Sequence, residues 1–156
     1  MQDLEEAIAL DQEALEIRSQ GHLNRPLSLD NLADHLSTRY KQLGATEDLQ
    51  EATFLVREAL YLRPQGHPHR TASLNSLAMS LFSRHIQLGE MQDLNEAIVL
   101  NPEALDLLPQ GGPSRVIAFN NLALCLFAWY LRLDGGPRPG HYPRTRCTGT
   151  QSRGIS

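Results

Sequence analysis

This chain of 156 residues is poor in lysine, cysteine and aromatic residues: Lys41 is its single lysine, Cys125 and Cys147 are its only cysteines, and Phe, Trp and Tyr make up 6% of it. Each scarcity excludes something. The two cysteines have neither zinc-ligand nor redox-pair spacing, so they read as one buried thiol and one thiol in the C-terminal segment. Residues 1–133 hold 17 Asp/Glu against 10 Lys/Arg, a net charge of −7. A body of that sign is a poor match for phosphate backbones and argues against a nucleic-acid partner. No uninterrupted apolar run approaches the roughly 18 residues of a membrane helix. The start, Met1-Gln2-Asp3-Leu4-Glu5-Glu6, carries acids where a signal peptide carries a basic region. The expectation is a cytoplasmic protein without a membrane partner. No segment shows strand-like alternation, no glycine-rich phosphate loop follows a strand, and no Ser or Cys has a local nucleophile motif. That points away from an enzyme, and no cofactor is expected.

What the chain has is a period. Asp3-Leu4-Glu5-Glu6-Ala7 returns as Asp48-Leu49-Gln50-Glu51-Ala52 and as Asp93-Leu94-Asn95-Glu96-Ala97, each 45 positions on. Asp30-Asn31-Leu32-Ala33 returns as Asn75-Ser76-Leu77-Ala78 and Asn120-Asn121-Leu122-Ala123, with Arg25, Arg70 and Arg115 at one offset before each. Within the unit the apolar residues keep a helical spacing. Leu29, Leu32, Ala33, Leu36 and Tyr40 fall at i, i+3, i+4, i+7 and i+11, as do Leu74, Leu77, Ala78, Leu81 and His85, and then Phe119, Leu122, Ala123, Leu126 and Tyr130. Leu4, Ala7, Ile8, Ala14 and Leu15 form a second kind of stripe, repeated by Leu49, Ala52, Thr53, Ala59 and Leu60. Gly21, Pro64-Gln65-Gly66 and Pro109-Gln110-Gly111 close one helix type, and Gly44 and Gly89 close the other. The spacing predicts six helices near residues 2–18, 26–42, 47–63, 71–87, 92–108 and 115–132. Each pair would bury its stripes by stacking on the next, as in a solenoid.

The unit running from Ser28-Leu29-Asp30-Asn31-Leu32-Ala33 through Gly44 to Ala59-Leu60-Tyr61-Leu62-Arg63-Pro64 resembles a tetratricopeptide repeat. It is longer than the ordinary repeat of about 34 residues and is similar to the extended repeats of kinesin light chains. It also resembles the long arrays of fungal proteins that accompany caspase-like (CHAT) peptidase domains, although no peptidase domain is visible in this chain. The resemblance implies an all-α protein over residues 1–133, a right-handed superhelix of antiparallel helix pairs comprising about two and a half to three repeats. Two departures stand out. Pro102 occupies the position of Gln12 and Arg57, where it removes a backbone donor at a cost of about 3 kcal/mol unless the helix kinks. Residues 134–156 hold one acid against four arginines, net +3, with Gly136-Pro137-Arg138-Pro139-Gly140 at their head, and read as a disordered basic tail. Because Met1-Gln2-Asp3-Leu4 repeats Met91-Gln92-Asp93-Leu94, the chain is expected to begin inside a repeat, as a piece of a longer array.

The resemblance also assigns a site. In tetratricopeptide arrays the second face of the first-type helices lines a concave groove. The matching positions here are Asp30, Asn31 and Asp34, then Asn75, Ser76 and Met79, then Asn120, Asn121 and Leu124, with Phe82 and Phe127 further along. Asparagines suit a peptide backbone, each offering donor and acceptor. Asp30 and Asp34 would repel a C-terminal carboxylate, so a chaperone-tail function is not expected. The implied function is a protein–protein interaction scaffold that binds a peptide or helical segment in the groove. The alternative is a regulatory or oligomerising fragment of a larger protein, with self-association through the apolar stripe Leu124, Phe127 and Leu131 of the last helix. His67 and His69 form a close pair with His22 as their counterpart, but two ligands in a loop do not make a metal site. His85, on the packing stripe, reads as a core histidine.

Limited trypsin digestion is expected to remove residues 135–156 first and leave the helical body. Protection of Arg138 and Arg144 equal to that of Arg57 would show instead that this segment is docked.

Overall fold

The computed structural model describes residues 2–132, so the tail expected at 134–156 lies outside the described residues. Six helices are present: α1 (Gln2–Ile17), α2 (Arg25–Leu43), α3 (Thr46–Tyr61), α4 (Arg70–Leu88), α5 (Met91–Leu107) and α6 (Pro113–Arg132). Their ends fall within two residues of those the period predicts, and there is no strand among the described residues. The stops are local chemistry. Gly44 and Gly89 sit at φ 72° and 79°, a left-handed conformation open to glycine, and their N–H groups close on the carbonyls of Tyr40 and His85 at 2.7 Å. Each helix packs on its chain neighbours, and α4 also touches α6.

The recurring stripes form one core. Leu29, Leu32, Ala33 and Leu36 of α2 and Leu74, Leu77, Ala78 and Leu81 of α4 are buried, facing Ala52, Val56 and Ala59 of α3 and Leu94, Ala97 and Ile98 of α5. Ionic contacts repeat at the same spacing. Arg39 holds Asp48 bidentately at 2.7 and 2.6 Å, and Arg84 holds Asp93 at 2.8 and 2.7 Å. Both carboxylates are buried, so the planar guanidinium fork supplies the charge-assisted bonds that make their burial tolerable. Arg25, Arg70 and Arg115 share one task as well. The Nη1 of each donates to carbonyls at the end of the preceding helix: Arg18 O for Arg25, Arg63 O for Arg70, Leu105 O and Leu108 O for Arg115. Carbonyls at a helix end have no partner inside the helix, and a cation there also complements the dipole. His85 is a core residue as expected, with Nδ1 2.8 Å from the carbonyl oxygen of Glu90.

One expectation needs correction, and another holds for a reason the packing supplies. The helix expected over residues 92–108 is present, and α5 runs through Pro102 as one helix. Pro102 deprives the Ile98 carbonyl of its usual donor, but Leu94, Ala97, Ile98, Asn101, Ala104 and Leu105 are all buried, and this packing outweighs the local penalty. The packing stripe of α6 is not the one the period assigns. Phe119 and Tyr130 are 51% and 40% exposed and Ala123 is exposed, while Ala118, Asn121, Leu122, Cys125 and Trp129 are buried. The cause is a missing neighbour: α4 lies between α3 and α5, whereas among the described residues α6 has only α4 and α5 to bury against. Finally, α6 is long and apolar enough, by length and composition, to cross a membrane. Ser114, Arg115, Asn120 and Asn121 interrupt its apolar run, and for that reason no continuous stretch stands out in the sequence.

Arg84→Ala strands the buried Asp93 carboxylate and is expected to cost about 2–3 kcal/mol, between the values for exposed and fully buried pairs. Arg57→Ala, which removes the more exposed pair with Glu96, is expected to cost under about 1 kcal/mol. Urea denaturation of both variants checks the difference.

Candidate functional site

The same face of α2, α4 and α6 that carries the sequence-predicted residues encloses a groove of about 380 Å³. Asp34 comes from α2, Asn75, Ser76 and Met79 from α4, and Asn121 from α6, while Leu49 and Val56 of α3 are among the apolar lining. The helical repeat explains the convergence. Positions 76 and 121 are equivalent, as are 34 and 79, so neighbouring first-type helices present matching side chains to one channel.

Not every predicted residue reaches it. Asp30 is ion-paired with Arg63 and lies by His67 and His69 in a separate hollow. Asn31 and Asn120 are exposed outside the groove lining. Phe82 is partly buried and packs on the core, whereas Leu124 and Phe127 are 48% and 61% exposed away from the groove. The structure adds lining residues that the sequence reading did not select: Ser37, Tyr40 and Lys41 of α2, Ser80 and Ser83 of α4, and Ile117 of α6. Their signal was available, because Asp34, Ser37 and Lys41 continue one face at i, i+3 and i+7.

The chemistry of the groove is polar with an unsatisfied member. The Oδ1 of Asn75 is buried without a hydrogen-bond partner. Buried carbonyl oxygens of this kind are rare because the group loses water and gains nothing. Burial, followed by the neighbouring Asp30 carboxylate, raises the Asp34 carboxyl above its ordinary range, while His35 and Lys41 pull it partly back. Asp34 and Lys41 give the groove both signs of charge, and its serines and asparagines give it donors and acceptors.

Other features do less. A hollow of about 610 Å³ by the α1–α2 turn is lined by Phe54 and Tyr61, but its Arg25 and Glu58 already pair with each other at 2.8 Å. His67 and His69 stand with ring centres 5.8 Å apart, and the Nδ1 of His67 accepts the backbone N–H of His69. No group of three or more metal-ligating side chains occurs among the described residues. Cys125 is buried beside Asn101, and burial pushes its thiol up to about 11, far from a reactive thiolate. No family model, no curated protein and no solved structure matches the chain.

Asn75→Ala removes an unpartnered buried acceptor and is expected to leave the denaturation midpoint unchanged or raised. A loss above about 1 kcal/mol would show that Asn75 serves the fold rather than the groove.

Proposed function

We propose that the chain is a tetratricopeptide-type solenoid, a right-handed superhelix of helix pairs, whose groove between α2, α4 and α6 binds an extended or helical segment of another protein. The observation that carries this reading is the unpartnered Asn75 Oδ1 in a groove whose lining comes from three equivalent helices. A small turn of the amide would bring its oxygen to a bound peptide N–H, and the desolvation already suffered by the free protein would then be relieved on binding. The 45-residue unit and the recurrence of the Arg39–Asp48 contact as Arg84–Asp93 support the repeat assignment.

The groove also favours one kind of occupant. Asp34, with Asp30 nearby, disfavours a C-terminal carboxylate, whereas a backbone flanked by a Lys or Arg would meet the asparagines and Asp34 together. A volume of about 380 Å³ accommodates a few residues of such a segment at a time. Binding of this type needs no cofactor and no chemistry.

Peptide display on the purified chain is expected to enrich internal segments bearing a basic residue. Asn75→Ala combined with Asn121→Ala is expected to weaken a selected peptide tenfold or more, about 1.4 kcal/mol, and Asn31→Ala combined with Asn120→Ala to weaken it much less. No enrichment, or equal losses from both pairs, would overturn the reading.

A further inference from the structure

We propose that the chain joins a second copy of itself head to tail, with α1 of one copy packing on the outer face of α6 of the next as α3 packs on α2 and α5 on α4. The joint would then be the third instance of an interface that the chain makes twice internally, and these two internal contacts are its most extensive.

Its two halves are present and, among the described residues, unpaired. At α6, Phe119, Ala123 and Tyr130 are exposed, although their equivalents Leu74, Ala78 and His85 on α4 are almost wholly buried. At α1, Leu10 is 59% exposed while its equivalent Leu55 is 7% exposed, and Ala7 and Ala14 are only partly buried where Ala52 and Ala59 are fully so. What buries the α3 positions is the extra neighbour: α3 lies between α2 and α4, and among the described residues α1 has α2 alone.

A broken ion pair identifies the occupant. Arg25 of α2 holds Glu58 of α3 at 2.8 Å, and Arg70 of α4 holds Glu103 of α5 at 2.6 Å. Arg115 of α6 is the next arginine in this series, and it has no carboxylate partner among the described residues. Glu13 of α1 is equivalent to Glu58 and Glu103, is exposed, and has no arginine partner among the described residues. Docking α1 of a second copy on α6 in the register of the internal joints brings Glu13 to Arg115, so each orphan completes the other.

In the chain's own sequence the position 45 beyond Glu103 is Thr148, so the register of Glu58 and Glu103 is not continued by a carboxylate there. One internal contact is not reproduced. Trp129 stands where Arg39 and Arg84 stand, so Asp3 of the second copy would find no guanidinium, and the joint should be weaker than its internal models. Because the two surfaces differ, association is heterologous and leaves a free face at each end.

Analytical ultracentrifugation of the full chain tests this. The unmutated protein is expected to form dimers and longer species at about 100 μM. Glu13→Arg blocks the α1 face and Ala123→Glu blocks the α6 face, at positions already exposed in the folded chain, so each variant alone should be monomeric with unchanged helix content. Mixed in equal amounts, they retain one good face each and should form a dimer that grows no further. Glu16→Arg makes the same charge change at a position whose equivalent Tyr61 is 86% exposed, and it should associate like the unmutated chain. A monomeric unmutated chain, association unaffected by Glu13→Arg, or a mixture that stays monomeric would each overturn the proposal.

Discussion

Every helix of this protein has more apolar surface than one neighbour can cover, and that constraint organises the rest. Alanines at 33, 52, 59, 78 and 97 let backbones come close, and leucines fill the space between them, so the stripes of α2 to α5 are buried because each of these helices has a neighbour on either side. Among the described residues, α1 and α6 keep the same stripes with one flank fewer. Their exposed apolar residues follow from having fewer helices to pack on, since the equivalent positions on α3 and α4 are buried.

The arginines act within this frame rather than alongside it. Arg39 and Arg84 let aspartates begin α3 and α5 at buried positions, where an acid suits the helix dipole but would be costly without a partner. Arg25 and Arg70 join three helices at once, satisfying carbonyls at the end of one and a glutamate on another. The third unit departs from this in a coordinated way. Arg63 bonds the Ser73 hydroxyl, and the equivalent positions hold Leu108 and Ala118, which join the apolar core instead. Asn101 and Cys125 likewise occupy the positions of Val56 and Ser80 and lie in contact, leaving the Asn101 Oδ1 unsatisfied.

Much of the groove was legible for a plain reason: a face of a regular helix is fixed by spacing, so Asp34, Asn75, Ser76, Met79 and Asn121 could be placed together from their positions alone. Asp30 could not be separated from them in this way, because its engagement by Arg63 depends on a contact across 33 residues of chain. The extent of the groove along the helices, through Ser37, Lys41, Ser80 and Ser83, was equally available but was cut short by reading only the positions of a resemblance.

The sequence by itself determined the six helices, their ends to within two residues and the facing stripes of α2 to α5, because period, glycine stops and proline placement are local properties of the chain. Tertiary structure alone decided which side of α6 is buried, whether α5 survives Pro102, and which polar atoms are left without partners. Those outcomes depend on how many neighbours a helix has and on what they present to it. A stripe of apolar residues states that a face can be buried, and only the packing of the other helices states that it is.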